Sequence, residues 1–227
     1  MTSEPSRRVG EGPFDGDVQI PVDAVELEGR LRLGERVGGL VVFSHGSGSS
    51  RHSPRNQFVA NRLTDAGIGT LLVDLLTPEE EQDRANVFDI GLLTRRLTGV
   101  TDWLAEQPGT ASCVLGYFGA STGAASALCA AAGNDRIAAV VSRGGRVDMA
   151  GLALSRVTAP TLLVVGGIDE VVLDLNREAL GHLPASAQLV VVEGASHLFE
   201  EPGTLEQVAD LACAWFKRFL LAPVDDG

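Results

Sequence analysis

The chain has 227 residues, 44% hydrophobic and 21% charged, a balance that excludes a disordered chain, a collagen-like repeat and a coiled coil. Its formal net charge of −12 argues against nucleic acid and anionic membrane surfaces as partners, since both demand an excess of cations. Lys217 is the single lysine, in the context Trp215-Phe216-Lys217-Arg218, which excludes a phosphate loop of the G-x-x-x-x-G-K type and disfavours a Schiff-base enzyme.

Cys113, Cys129 and Cys213 are widely spaced in apolar segments and form no C-x-x-C pair, so they read as buried thiols rather than a zinc site or a disulfide framework. No metal and no organic cofactor are expected. The stretch 1–17 is polar and glycine-rich, unlike a signal peptide, and reads as a flexible lead-in. No apolar run reaches the ~18 residues of a membrane span, and the expected location is cytoplasmic.

Residues 18–33 alternate apolar and polar positions in two pieces, the pattern of an antiparallel hairpin. Six continuous apolar runs follow, at 40–43, 70–75, 113–118, 137–141, 161–165 and 188–192, as expected of strands buried on both faces. Between them lie segments with helical spacing. Val87, Ile90, Leu93, Leu97, Val100 and Leu104 form one apolar stripe, and Leu205, Val208, Leu211, Ala212, Trp215 and Phe219 form another. This alternation predicts an α/β fold over 18–227 as a single domain. Its central sheet should be mostly parallel, with the hairpin adding antiparallel strands at one edge and helices covering both faces. Ligands of such sheets bind beyond the carboxyl ends of the strands.

The strand ends carry the chemistry. Gly119-Ala120-Ser121-Thr122-Gly123 follows the third of these runs and precedes a small-residue helix, the context of a sharp turn that lifts a serine hydroxyl above the sheet. A serine needs an adjacent base. His197, just after the last run and before the C-terminal helix, is the candidate, whereas His45 is expected to shape its own loop and His182 to lie at a helix end. Asp169, after the run 161–165, is the candidate carboxylate for the imidazole, with Asp148 as runner-up and a turn or helix-cap aspartate as the structural rival. The order Ser, Asp, His suits a hydrolytic triad. Backbone N–H groups of Thr122 and Ser47 are the expected oxyanion hole, Ser47 lying in the glycine loop His45-Gly46-Ser47-Gly48. A dinucleotide loop fails on spacing, because Arg51 stands where G-x-G-x-x-G needs its last glycine.

These motifs (HGSGSS at 45–50, GASTG at 119–123, GGIDE at 166–170 and EGASHLF at 193–199) make the chain resemble an α/β-hydrolase of the dienelactone-hydrolase-like group, over roughly 18–220. The segments HGSGSSRHSPRN (45–56) and SRGGRVDMA (142–150) are similar to small bacterial hydrolases found alone or fused to phosphoribosyltransferase domains. Dienelactone hydrolase itself uses a cysteine nucleophile. With Ser121 in that place, the resemblance implies esterase-like cleavage of a small ester, lactone or thioester. Only 142–159 separates two expected strands where relatives insert a lid, so no lid domain is expected.

Arg51, His52, Arg55, Arg143 and Arg146 flank two strand-end loops and are candidates for binding an anionic substrate. The alternative is that they brace the loops through ion pairs with Asp148, Glu170 or the acids at 79–81. Acyl transfer on the same triad, and a non-catalytic binding module, are the rival functions. The oligomeric state is left open.

Overall fold

The computed structural model describes residues 8–35 and 37–221. Strands β1 (Phe14–Val22) and β2 (Val25–Leu33) form the expected hairpin, turning at Asp23, whose φ of 54° is a left-handed conformation that aspartate tolerates. The hairpin starts earlier than its hydrophobic pattern suggests. Phe14 pairs with Leu33, so the expected lead-in loses 14–17 to β1. That end of the ribbon is solvated, and Asp15 is held by Arg30 at 2.7 Å and Arg32 at 3.3 Å, which explains its polar sequence. Val9 is also tied down: it is buried, and its N–H donates to Gln107 Oε1 at 3.2 Å. Positions 1–7 of the lead-in lie outside the described residues.

The apolar runs become β3 (Gly39–Ser44), β4 (Gly69–Val73), β5 (Val114–Ala120), β6 (Ile137–Arg143), β7 (Thr161–Gly166) and β8 (Gln188–Val192). The sheet order is β1-β2-β4-β3-β5-β6-β7-β8. β1, β2 and β4 pair antiparallel, and the remaining neighbours pair parallel. The sequence is therefore an α/β fold with an antiparallel edge, as its patterning predicts.

Successive side chains of the central strands point to opposite layers. Leu40, Val42, Leu115 and Tyr117 pack under α3 (Ile90–Glu106) and α4 (Thr122–Ala131). Val41, Phe43 and Phe118 pack under α1 (Pro54–Asp65) and α6 (Thr204–Leu220), with the Phe43 and Phe118 rings 4.9 Å apart. The stripe starting at Val87 is split. A short α2 (Arg84–Val87) ends first, and Asp89 caps α3 by accepting from the Leu92 N–H at 2.9 Å.

Between β6 and β7 lies only the 3₁₀ segment Val147–Arg156, broken at Gly151, followed after β7 by α5 (Glu170–Leu180). The three cysteines are half-buried rather than enclosed, and burial raises each thiol pKa. Among the described residues no helix is long and apolar enough to cross a membrane.

Candidate active site

β5 ends at Ala120, and the chain reverses at once into α4. Ser121 takes φ 51° and ψ −124°, a left-handed backbone unusual for a residue with a Cβ. Such a conformation costs about 1–3 kcal/mol and persists only where surrounding contacts hold it. Here they do. The Ser121 N–H donates to the Arg143 carbonyl at 3.2 Å, and the Ser121 carbonyl accepts from Arg146 at 3.0 Å and Ala124 at 3.1 Å. The end of β6 thus staples the turn from one side. Gly46 closes it from the other: a Cβ there would stand 2.8 Å from Ser121 Cβ, so only glycine admits this approach.

Asp169 stands at the N-terminus of α5, yet its side chain makes no capping hydrogen bond. Its Oδ2 instead accepts from His197 Nδ1 at 2.6 Å, with the Asp169 side chain 14% exposed and the imidazole 39% exposed. This removes the helix-cap alternative. It also removes Asp148, whose carboxylate is gripped by Arg146 through two hydrogen bonds of 2.9 and 2.8 Å. The imidazole lies against Gly144, whose Cβ position would be 3.5 Å from both Nδ1 and Cε1 of His197. Gly144 follows Arg143, which holds the Ser121 N–H, so serine and histidine border the same two-residue stretch. Ser121 Oγ itself makes no hydrogen bond among the described residues.

The two expected oxyanion donors differ. The Thr122 N–H is at the first position of α4, where an amide has no partner within its helix. The Ser47 N–H is already spent: it donates to Thr122 Oγ1 at 3.0 Å. The threonine hydroxyl therefore sits on the donor that a substrate oxygen would need. No glycine-loop pattern reveals this, because it depends on a side chain 75 positions away.

Four of the five candidate substrate-binding residues can be sorted by their partners, and two are corrected. Arg51 is a brace. Its backbone N–H and guanidinium both bond Asp74, and it also pairs with Glu28. Arg146 is taken by Asp148, as above. Arg55 has only Glu200 at 3.5 Å, and Arg143 has no ion pair or side-chain hydrogen bond among the described residues. His52 is exposed on the wall of the cleft beside these loops. Asp74, which sequence reasoning missed because it follows a strand with no accompanying motif, anchors the glycine loop through Arg51 and His45. His45 Nε2 lies 3.3 Å from its Oδ1.

Burial opposes the Asp74 charge, but His45 and Arg51 outweigh it and hold the carboxyl below its ordinary 3.8. A depressed carboxyl stabilises the fold above its unfolded value and loses that contribution as pH falls through its folded value. Asp74→Asn is therefore expected to cost about 3 kcal/mol in urea unfolding at pH 7. The difference from the wild type should shrink once the pH drops below 3.8.

A cleft of about 500 Å³ opens beside the turn. Gly46, Ser47 and Thr122 line it, together with the apolar side chains of Leu75, Leu76 and Leu93. The side chains of Ser121, Asp169 and His197 are not part of its wall. Among the described residues no group of three or more His, Cys, Asp or Glu side chains is placed to hold a metal ion.

No family model matches the chain. It is 61% identical over 214 residues to a protein of Mycobacterium tuberculosis H37Rv that carries a provisional phosphoribosyl transferase name, the match covering 94% of this chain and 48% of that one. The chain thus spans about half the length of the curated relatives it matches. Among solved structures it is similar to a dienelactone hydrolase from Anabaena variabilis ATCC 29413, with 52% identity, 92% of this chain and 100% of that chain covered, and a TM-score of 0.89. Est1E from Butyrivibrio proteoclasticus, 16% identical, shares the fold at a TM-score of 0.77 over 89% of this chain and 98% of its own. With an eight-stranded sheet of this topology and half its residues identical to a solved member over nearly its whole length, the chain belongs to the dienelactone-hydrolase-like family of α/β-hydrolases.

Proposed function

We propose that the chain is a serine hydrolase that cleaves a small ester, lactone or thioester through Ser121, His197 and Asp169. The observation that carries this reading is the 2.6 Å Asp169–His197 hydrogen bond. A carboxylate on Nδ1 fixes the tautomer that leaves Nε2 free to take a proton. The Ser121 hydroxyl, raised on its left-handed turn, attacks the carbonyl carbon as His197 accepts its proton. The imidazolium so formed is stabilised by Asp169 and returns the proton to the leaving oxygen or sulfur. A water molecule, deprotonated by the same imidazole, then releases the acyl group from the serine.

Negative charge on the substrate oxygen is met by the N–H groups of Thr122 and Ser47. For that, the Thr122 hydroxyl must turn away and the substrate oxygen take its place on the Ser47 amide. Acyl transfer to an alcohol or amine would use the same first half of this cycle, and the products formed with competing nucleophiles separate the two. A cytoplasmic location belongs to the same proposal and rests on three cysteines that are all unpaired.

The direct test is a fluorophosphonate probe, which phosphonylates an activated serine with loss of fluoride. Mass spectrometry should find one adduct on the Ser121 peptide and none in Ser121→Ala. A folded wild-type protein that never labels would instead favour a binding module without turnover.

A further inference from the structure

The cleft and the imidazole lie on opposite sides of the nucleophile. Ser121 follows β5, and the strands around it run in the order β4-β3-β5-β6-β7-β8. The cleft is lined by Ser47, which follows β3, and by Leu75 and Leu76, which follow β4. Asp169 and His197 follow β7 and β8, and the imidazole lies against Gly144 beyond β6. Gly46 joins the cleft to the nucleophile: it is on the lining, and its Cβ position would stand 3.4 Å from Ser121 Oγ.

This division decides which half of a substrate each side receives. In acylation the leaving oxygen or sulfur takes its proton from His197, so the alcohol or thiol half must lie toward β6 and β8. The acyl half stays bonded to Ser121 Oγ, with its oxygen on the amides of Thr122 and Ser47, two residues that line the cleft. The chain beyond the acyl carbonyl therefore runs over the ends of β3 and β4. The surface it meets there is aliphatic. Leu75, Leu76 and Leu93 reach the cleft from a single packed core cluster, and Val87 packs against the same cluster. Apart from His45 and His52, the titratable side chains on the lining are Arg55 and Glu81, opposite in sign, and Arg55 also faces Glu200 at 3.5 Å. Arg51 and Arg146 are spent on carboxylates, and Arg143 is not on the lining.

From this we infer that the cleft is an acyl pocket for an uncharged aliphatic acyl chain of medium length. The inference rests on the hydrolase reading, whose triad fixes the direction of the leaving group, and adds the substrate class to it. The cleft's volume of about 500 Å³ far exceeds what an acetyl group fills, at roughly 30 Å³ for a group the size of a water molecule. An apolar chain laid on these side chains gains on the order of two- to fourfold in binding per methylene. A carboxylate on the same chain would lose its water against leucines, with no excess of cations on the lining to replace it.

The test gives the whole chain two isomers of similar apolarity, methyl hexanoate and pentyl acetate. Methyl hexanoate should have the higher kcat/KM by about tenfold or more, because its long half is the acyl half. It should also exceed monomethyl adipate, which carries a carboxylate at the same reach, by about tenfold or more. Leu76→Ala and Val87→Asp should each bring the ratio between the isomers toward one. Val87 is half-buried on a helix of four residues, so its variant keeps the test alive if Leu76→Ala does not fold. Equal rates for the isomers, a preference for pentyl acetate or for the adipate, or an unchanged ratio in folded Val87→Asp would overturn the proposal.

If neither isomer turns over, the hydrolase reading falls, and methyl hexanoate is read instead as a ligand that protects against thermal unfolding. Protection lost in Val87→Asp upholds the apolar binding site without the chemistry, and no protection ends the proposal too.

Discussion

Ser121→Ala and His197→Ala are each expected to lower kcat for p-nitrophenyl acetate by about 10⁶-fold, and the double variant to lose no more than the worse single one. The two residues act as one device. Without the base the hydroxyl is a poor nucleophile, and without the hydroxyl the base has nothing to activate. Asp169→Asn should cost less, about 10⁴-fold, because asparagine keeps the shape but can present an N–H to Nδ1 and stabilise the wrong tautomer. The Asp169 side chain is 14% exposed and bonds His197 alone among the described residues, so the loss should come through the imidazole rather than through the fold. Burst kinetics and thermal midpoints on the three variants check this. Additive losses in the Ser121/His197 double variant would mean that the two side chains never share a proton, and the mechanism would fall.

Much of this site is legible in the residues because strand-end chemistry is local. A buried parallel strand is a continuous apolar run, and its end is where polarity returns, so Ser121, Asp169 and His197 announce themselves by position. The sheet's antiparallel edge is legible from alternation, but its true start is not. Phe14-Asp15-Gly16-Asp17 reads as solvated chain, and its pairing with Arg30 and Arg32 depends on charges across the ribbon.

The arginines are the least legible residues, for the same reason. Arg51 and Arg143 are equally basic letters near equally polar loops. One is braced by Asp74 just beyond β4 and by Glu28 in the middle of β2, and the other is buried with no acid partner among the described residues. Charge pairing is a property of the folded surface, and a linear pattern does not carry it. Thr122 shows the limit most sharply: it is expected as an amide donor, yet its hydroxyl occupies the Ser47 N–H, the other expected donor.

Gly123→Ala is expected to destabilise the protein by more than 4 kcal/mol, roughly, or to prevent its accumulation as a folded chain. At an ordinary helical position the same change gains about 1 kcal/mol, because alanine loses less backbone entropy than glycine. The sign reverses here because α4 starts directly against the end of β3. A Cβ on Gly123 would lie 2.1 Å from the Ser44 carbonyl oxygen and 2.6 Å from that of His45.

Both obstacles are backbone, held in the sheet and in the loop that carries Ser47, so neither can rotate aside. Either α4 lifts, pulling Ser121 out of its staples to Arg143 and Arg146, or the loop shifts and takes the Ser47 amide with it. Gly99 supplies the comparison. Its Cβ would meet Val22 Cγ1 at 2.3 Å, but all the nearest atoms there belong to one side chain, which can repack. Gly99→Ala should therefore cost less and retain fluorophosphonate labelling, whereas any soluble Gly123→Ala protein should label far more slowly. Equal stability of Gly123→Ala and wild type in urea would show that the close packing of α4 on β3, which raises the serine above the sheet, does not exist.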